Sequence, residues 1–227
     1  MLNQYSSITR VFVPIHKEGY LIIGITAGIV FLLSYMSTFL RNLGCIILAF
    51  VVYFFRNPPR TVTDIEEAIV SPADGLVDQI IDCPPPEELG CDQNKNWVRI
   101  SIFLNVFNVH SQRVPFGGEV TKIVYHPGKK LNVSLDKNSK DNERNSCVVK
   151  TSNNEEIVFV QMAGLIARRI VCNIKQGDKV NKGDLYGIIK FGSRVDLYLP
   201  KDKVRVVVSK GQTMIGAETI MAYFKEN

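Results

Sequence analysis

The chain of 227 residues is long enough for one domain and an appendage, and its formal net charge at pH 7 is +5. The first 55 residues hold three of the 27 Lys and Arg residues and one of the 22 Asp and Glu residues, so the remainder is close to neutral. Domains that bind nucleic acid normally present a strong basic patch. This balance therefore argues against a nucleic-acid partner.

The first quarter of the chain has the composition of a membrane segment. From Tyr20 to Leu40, 21 residues carry no charge, which is long enough to cross a bilayer as a helix. Arg41 and Asn42 interrupt this run, and a second uncharged run of 13 residues follows from Leu43 to Phe55. As a helix the second run would be only about 20 Å long, which is short for a full span.

The charges that flank these runs predict a hairpin with both outer ends in the cytoplasm. Positive residues lie on both outer sides, at Arg10, Lys17, Arg56 and Arg60, although Arg41 at the tip opposes this orientation. A buried hydrophobic hairpin of a soluble protein is the alternative. The predicted organisation is an N-terminal cytoplasmic segment (1–19), a membrane-associated helical hairpin (20–55) and a globular domain (56–227).

Beyond residue 60 the sequence changes to short β-like runs separated by turn residues. A long 3.6-residue period is missing from this part, so helices should be few and short. The pattern predicts a mainly β domain with a minor α+β character, built as a compact β-barrel or sandwich. The predicted strands are Gly75–Ile81, Val98–Phe103, Gly117–Tyr125, Ser146–Thr151, Glu156–Gln161, Ile166–Ile174, Leu185–Ile189, Arg194–Leu199 and Val204–Val208.

The five cysteines show neither CxxC pairing nor the spacing with histidine that zinc sites have. An odd number of cysteines without a metal pattern predicts reduced thiols in a domain that faces the cytosol, with no bound metal.

One carboxylate stands out in the segment SPADG, from Ser71 to Gly75. Asp74 lies there between a proline and a glycine. These residue types also form ordinary turns, and the segment by itself indicates no more than a turn.

A polar cluster follows the apolar strand in IFLNVFNVHSQRVPFGG, from Ile102 to Gly118. Its polar residues include His110, one of three histidines in the chain. A histidine titrates near neutral pH and is the usual proton carrier of an active site. A single histidine is also often a structural hydrogen-bonding residue.

The pair Gly192–Ser193 lies at the start of a predicted strand, where glycine weakens pairing and marks a close approach. A hairpin whose glycines only turn the chain is the simpler interpretation. A serine becomes a nucleophile beside a base. Asp74 orienting His110, and His110 deprotonating Ser193, would form such an acid–base–nucleophile triad.

Two arginines, Arg168 and Arg169, follow an apolar run in GLIARRI. Guanidinium groups bind phosphate bidentately. The pattern fits a phosphate site and fits two surface arginines on opposite faces of a strand equally well.

Together these segments resemble the phosphatidylserine decarboxylase family, in its short proenzyme form, over nearly the whole chain. The motifs that carry the resemblance are FFRNPPR (54–60), SPADG (71–75), IFLNVFNVHSQRVPFGG (102–118), NERN (142–145), QMAGLIARRI (161–170) and FGSRVDLYLP (191–200). The resemblance implies self-cleavage between Gly192 and Ser193, which gives a β chain of residues 1–192 and an α chain of residues 193–227. Ser193 would become a covalent pyruvoyl group, the sole cofactor.

The resemblance also implies roles and partners. His110 would be the base, with Asp74 holding its tautomer, and the pyruvoyl ketone would condense with the substrate amine and accept the electrons released with CO2. The implied substrate is phosphatidylserine in the cell membrane, with the catalytic domain facing the cytoplasm. The α and β chains would stay associated, and a homo-oligomer is compatible with the sequence.

The chain departs from the family at one position. Many members carry a second histidine three residues after the first, and here that position is Arg113. We expect Arg113, with Arg168 and Arg169, to contact the phosphate or carboxylate of the substrate.

Three other functions compete with this reading. The turn-rich segment from Ile174 to Pro200 also resembles biotinyl and lipoyl carrier domains, but no carrier lysine lies at a hairpin tip. A membrane-fusion adaptor is a second non-enzymatic alternative. Pyruvoyl decarboxylases of soluble amino acids or of S-adenosylmethionine are a third, and the apolar N-terminal runs favour a lipid substrate over theirs.

Overall fold

The computed structural model describes residues 13–128, 142–164, 169–190 and 193–225. The chain forms two compact units, Met1–Pro59 and Arg60–Asn227. Arg56 and the three residues after it therefore belong to the N-terminal unit.

The N-terminal unit contains two apolar helices, α1 (Tyr20–Ser34) and α2 (Thr38–Phe54), after a 3-10 turn at Lys17–Gly19. The predicted break at Arg41 and Asn42 is wrong, because both residues lie inside α2. The helix begins earlier because Ser37 caps it: its hydroxyl oxygen accepts a hydrogen bond from the backbone N–H of Phe39 at 3.2 Å.

The apolar side chains of α1 are exposed or half-buried, apart from Val30, which is buried. Gly44 of α2 makes room for Val30, since a Cβ at that position would lie 2.8 Å from Val30 Cγ2. Among the described helices, Lys17–Ser34 is the one that is long and apolar enough to cross a membrane by length and composition. Exposed apolar surface of this extent is typical of a lipid-facing segment.

The C-terminal unit is mainly β, as predicted, and its largest sheet curls into a half-barrel. Its strands are β1 (Ala68–Val70), β2 (Gly75–Asp82), β3 (Trp97–Leu104), β4 (Ser111–Arg113), β5 (Gly118–His126), β6 (Arg144–Lys150), β7 (Glu156–Ala163), β8 (Arg169–Cys172), β9 (Lys179–Val180), β10 (Leu185–Lys190), β11 (Ser193–Pro200), β12 (Val204–Val206), β13 (Thr213–Met214) and β14 (Ile220–Phe224).

These strands form three antiparallel sheets within the described residues. The largest has the strand order β13-β2-β3-β11-β7-β6-β5-β9, and the two smaller ones have the orders β1-β14-β12 and β4-β10-β8. Helical turns in this unit are limited, among described residues, to the 3-10 turns Glu87–Leu89 and Lys201–Lys203. This agrees with the expectation of few and short helices.

Strand β11 lies in the middle of the large sheet, and both of its faces are buried. Val195 and Leu197 point into the main hydrophobic core, while Tyr198 belongs to a second cluster on the opposite face. Side chains alternate between the two faces of a strand, so Ser193 shares the main-core face and Arg194 shares the other.

The sequence pattern located the long strands to within about two residues and missed the short ones. The missed strands are β1, β4, β9, β13 and β14. Four of them have two or three residues, too few for an alternating pattern to show. The predicted strand Ile166–Ile174 is observed as Arg169–Cys172, and residues 165–168 lie outside the described residues.

Candidate active site

Ser193 is the first residue of β11, and its side chain is completely enclosed (0% exposed). It pairs with Leu104 at the end of β3 and with Ala163 at the end of β7. Its hydroxyl oxygen has no hydrogen-bond partner among the described residues. Gly192, the other half of the pair, lies outside the described residues. Among the described residues, the Ser193 hydroxyl is therefore not committed to a structural hydrogen bond.

A tight asparagine turn leads from the end of β3 to His110. The backbone N–H of Asn105 donates to Asn108 Oδ1 at 2.9 Å, and the N–H of Phe107 donates to Asn105 Oδ1 at 2.8 Å. The N–H of Asn108 also donates to the carbonyl oxygen of Asn105 at 3.0 Å. Asparagine side chains stabilise turns in this way, and this turn begins directly after the residue that pairs with Ser193.

His110 is fully buried, and its ring is held at Nδ1. Nδ1 lies 3.0 Å from the carbonyl oxygen of Asn108. A carbonyl can only accept, so this contact calls for a proton on Nδ1. In a neutral imidazole with its proton on Nδ1, the lone pair lies on Nε2. The carbonyl oxygen of His110 in turn accepts from the N–H of Ile189, on β10, at 3.3 Å.

Asp74 lies immediately before β2, and its carboxylate has charged and backbone partners. Arg60 Nη2 donates to both carboxylate oxygens at 2.8 Å, and the N–H of Gly216 donates to Oδ1 at 2.8 Å. The ion pair is mostly buried, with side chains 12% and 15% exposed. The observed partners of Asp74 thus include Arg60, with which it forms an ion pair.

The sheet register brings Asp74 and Ser193 to one edge. Leu76 of β2 pairs with Phe103, and Ser193 of β11 pairs with Leu104, so β2 and β11 both begin where β3 ends. The asparagine turn starts at the same edge and leads to His110. Asp74 and Ser193 therefore lie at one end of the large sheet, where the turn that leads to His110 begins. The described hydrogen bonds of Asp74 go to Arg60 and Gly216, and His110 Nδ1 meets the Asn108 carbonyl, so Asp74 does not hold the His110 tautomer as predicted.

Gly75 permits the close approach of β2 to β3 at this edge. A Cβ on Gly75 would lie 2.3 Å from the carbonyl oxygen of Phe103. We expect Gly75→Ala to lower the free energy of unfolding by about 1–3 kcal/mol, because two backbones would have to separate. In thermal unfolding this corresponds to a Tm lower by about 2–4 °C per kcal/mol for a chain of this size.

Gly211→Ala is the matched control for this prediction. Gly211 has a φ of +85° and no atom within 4 Å of an added Cβ, so that variant has backbone strain without a clash. We expect the smaller decrease in Tm for it. Equal decreases would show that the contact with Phe103 contributes nothing.

The arginines predicted to bind substrate have different surroundings. Arg113 lies on β4, where its Nη1 donates to the carbonyl oxygen of Gly183 at 3.3 Å and its backbone N–H donates to Pro72 in the SPADG segment at 2.8 Å. Arg169 begins β8 and is exposed. Arg168 lies outside the described residues.

One observed partner of Asp74 and one of His110 were not predicted from the sequence. Arg60 appeared in the sequence as a charge flanking the apolar runs, whereas it binds Asp74. Asn108 lies within the segment 102–118 that holds the predicted polar cluster, and its backbone carbonyl oxygen is the atom that contacts the His110 ring. A backbone carbonyl carries no residue-specific signal, so the sequence offered none for this second contact.

Two thiols lie together in the main core, Cys147 of β6 and Cys172 of β8. Their hydrogen bond, together with burial, raises the pKa of Cys147, and the same hydrogen bond lowers the pKa of Cys172 to about 7. All five cysteines are free. Within the described ranges, no three His, Cys, Asp or Glu side chains are grouped as a metal ion would require.

Comparison with known proteins gives consistent matches. Residues 47–222 match the family model described as phosphatidylserine decarboxylase. The chain is 49% identical over 223 residues to the phosphatidylserine decarboxylase proenzyme of Rickettsia africae (strain ESF-5), and the match covers 98% of this chain and 94% of that one. The proenzymes of Rickettsia akari (strain Hartford) and Rickettsia typhi (strain ATCC VR-144 / Wilmington) are 48% and 47% identical over the same coverage.

Proposed function

The chain belongs to the phosphatidylserine decarboxylase family, and from this premise we propose that it cuts itself at Gly192–Ser193 and then converts phosphatidylserine to phosphatidylethanolamine and CO2. The observation that carries the proposal is the enclosed Ser193 hydroxyl, which lacks a hydrogen-bond partner among the described residues at the start of a central strand. A buried hydroxyl in that condition is unfavourable for folding alone. Ser101 and Ser146 share this property, and Ser193 differs from them by its place directly after Gly192, at the sheet edge where β2 also begins.

Self-cleavage would proceed in three steps: acyl transfer, β-elimination and hydrolysis. Ser193 Oγ attacks the carbonyl carbon of Gly192, and the acyl group moves from nitrogen to oxygen. The resulting ester breaks by β-elimination: Cα of residue 193 loses its proton and Gly192 leaves as a carboxylate. One water then hydrolyses the dehydroalanine, which releases ammonia and leaves a pyruvoyl group. Glycine at position 192 offers the least steric hindrance to this attack.

His110 is the proposed base for these proton transfers. Its Nδ1 contact with the Asn108 carbonyl favours the tautomer whose Nε2 can accept a proton. Asp74 lies at the same sheet edge, where its negative charge would stabilise a protonated imidazole. The same histidine would return a proton to the substrate carbon after CO2 leaves.

The residues around Ser193 suit a pyruvoyl group, since the position is enclosed and its hydroxyl oxygen has no competing donor among the described residues. That group supplies a ketone that takes the substrate amine and accepts the electrons freed by decarboxylation. Arg113, Arg168 and Arg169 are proposed to hold the anionic groups of the substrate, because guanidinium ions pair with phosphate and carboxylate.

The two chains produced by the cut would stay associated. Strand β11 of the α chain pairs with β3 on one side and β7 on the other, and both partners belong to the β chain. Strands β13 and β14 of the α chain also pair with β2 and β1. Separation would expose the main core, so the α chain remains bound without the peptide bond.

The apolar N-terminal helix supports a lipid substrate. Tethering a catalytic unit to the membrane raises its effective concentration toward a lipid. We propose attachment to the cell membrane with the catalytic unit on the cytoplasmic side, as the flanking positive charges indicate. A free amino acid would gain nothing from this attachment, and the tether thus favours phosphatidylserine over soluble substrates.

Intact mass and CO2 release test the proposal together. The purified chain should give two fragments, of residues 1–192 and 193–227, and the smaller should gain mass with a hydrazine reagent. Vesicles containing phosphatidylserine labelled in the serine carboxylate should release CO2, while free serine and S-adenosylmethionine should not. A single uncut chain would favour a carrier or adaptor and would contradict the proposal.

Two variants separate a chemical role of Asp74 from its ion pair. Asp74→Asn and Arg60→Gln both break the pair, and each should lower the free energy of unfolding by about 1.5–3 kcal/mol. If the charge of Asp74 supports His110, Asp74→Asn should slow self-cleavage at least tenfold more than Arg60→Gln, in which the carboxylate remains. Equal rates of cleavage for the two folded variants would limit Asp74 to a structural role.

A further inference from the structure

Three buried amide side chains form a continuous hydrogen-bonded chain that ends on the backbone of His110. Asn145 Nδ2, on β6, donates to Gln161 Oε1 at 3.1 Å. Gln161 Nε2, on β7, donates to Gln112 Oε1 at 2.9 Å. Gln112 Nε2, on β4, donates to the carbonyl oxygen of His110 at 2.6 Å. We refer to Asn145, Gln161 and Gln112 as the amide chain.

The amide chain lies inside the protein. Gln112 and Gln161 are 0% exposed and Asn145 is 4% exposed. Apolar side chains of similar size would fill the same space without polar groups that need partners. Each amide group named above donates in one direction, from β6 toward β4. Removal of Gln112 would leave Gln161 Nε2 only its longer contact of 3.4 Å with the Val171 carbonyl oxygen.

A glycine on β10 leaves room for the central link. Gly187 pairs with Gln112, and a Cβ at Gly187 would lie 2.8 Å from Gln161 Nε2. The same Cβ would lie 2.3 Å from the carbonyl oxygen of Val171, so a larger residue there would displace the neighbouring strand as well as the Gln161 amide. The contact between the two glutamines is therefore supported by a third element.

The carbonyl oxygen of His110 receives two donors, Gln112 Nε2 and the N–H of Ile189. Two donors on one carbonyl fix the orientation of the peptide plane, and this in turn fixes the direction of the Cα–Cβ bond of His110. The ring has its own contact at Nδ1 with Asn108. The imidazole is held at both ends, once through its ring and once through its backbone.

We propose that Gln112 and Gln161 are positioning residues for His110, which set the direction of its imidazole for the proton transfers of self-cleavage. Neither side chain takes part in the reaction itself; Gln112 acts through the His110 carbonyl, and Gln161 acts through Gln112. The inference rests on the proposed function, because it assigns these residues to the reaction that His110 is proposed to catalyse. Positioning by a fixed hydrogen-bond network accounts for large rate effects from groups remote from the chemistry.

The test follows self-cleavage of the full-length chain in a cell-free synthesis reaction with vesicles present. Gln112→Leu removes the donor to His110, and we expect a cleavage rate at least about tenfold lower than that of the unchanged chain. Gln79→Leu is the matched control: Gln79 accepts a hydrogen bond from Arg99 on β3 and lies outside the amide chain. It should be cleaved at the unchanged rate, although it also loses a side-chain hydrogen bond.

Gln112→Glu gives a second readout that a purely structural role would not produce. The introduced carboxyl group donates to the His110 carbonyl only while it is protonated, and burial favours that state. Relative to the unchanged chain at the same pH, its cleavage rate should be within about threefold near pH 5.5 and at least about tenfold lower near pH 8.5. Near-UV circular dichroism at both pH values confirms that the folded protein is compared.

The outcomes separate this inference from the proposed function. An uncut chain without any substitution would overturn the proposed function and this inference with it. Cleavage of the unchanged chain, together with an unchanged rate in folded Gln112→Leu, would overturn the inference alone. If Gln112→Leu does not fold, the Gln112→Glu variant decides the question. The quantity compared is its cleavage rate divided by that of the unchanged chain at the same pH. A value that is equal at pH 5.5 and pH 8.5 overturns the inference, and a value that is lower at pH 8.5 supports it.

Discussion

Ser193→Ala is expected to leave the chain as one uncut polypeptide of 25.5 kDa that no hydrazine reagent modifies. The substitution removes the oxygen that attacks Gly192, and without it no ester forms. Decarboxylation should be undetectable as well, because its ketone is never made. Intact-mass spectrometry of the purified variant, with and without hydrazine, measures the first effect, and CO2 release from labelled phosphatidylserine measures the second.

The Ser193→Ala variant should still fold, because the lost hydroxyl has no hydrogen-bond partner among the described residues. Because a buried hydroxyl without a partner is unfavourable for folding, its removal should be neutral or stabilising. Ser101→Ala is the matched control: Ser101 lies on β3, is equally buried and likewise lacks a partner for its hydroxyl among those residues. The Ser101→Ala variant should be cleaved between residues 192 and 193 to the same extent as the unchanged chain. A cut between residues 192 and 193 in folded Ser193→Ala would refute the serine mechanism.

His110→Asn is expected to slow self-cleavage by about 10²–10⁴-fold, the usual contribution of a general base. The asparagine amide can still donate to the Asn108 carbonyl, as Nδ1 of His110 does, whereas the position of Nε2 is left empty. The variant thus removes the proposed base and retains the local hydrogen bond. The time course of cleavage after synthesis, read from the ratio of cut to uncut chain, gives the rate.

His126→Asn serves as the control for the loss of a histidine. His126 lies at the end of β5 and pairs with Arg144, and strands β6 and β7 separate it from β11. Its cleavage rate should be unchanged. Part of the His110→Asn protein should still be cut. Its kcat for decarboxylation is divided by the number of hydrazine-reactive pyruvoyl termini, which shows whether the substitution also slows decarboxylation at each mature site. An unchanged cleavage rate in folded His110→Asn would move the base to another residue.

The long elements were predictable because their signals are local. The uncharged run from Tyr20 and the Val- and Ile-rich alternation after residue 60 depend on neighbours within a few positions. They gave two apolar helices and the strands of a mainly β unit. The position of the helix break was wrong because charge was taken as the signal, while the hydroxyl of Ser37 caps α2 and allows Arg41 into its first turn.

For the candidate site, the sequence predicted which residues to consider but not which residues they contact. Asp74, His110 and Ser193 were selected for their side-chain chemistry and their motifs, and the register of β2, β3 and β11 brings Asp74 and Ser193 to the sheet edge where the turn to His110 begins. Their partners were not predicted. Arg60 meets Asp74 across 14 positions, and Gln161 meets Gln112 across 49.

The sequence by itself determined the apolar N-terminal segment, the mainly β class and the family, since each depends on composition, on a short period or on the order of motifs. The tertiary structure alone decided the ion pair of Asp74, the carbonyl that meets the His110 ring and the amide chain behind it. Each of these is a contact between residues that come together only when strands pair. A hydrogen bond needs two atoms within about 3 Å, and distance along the chain does not report that separation.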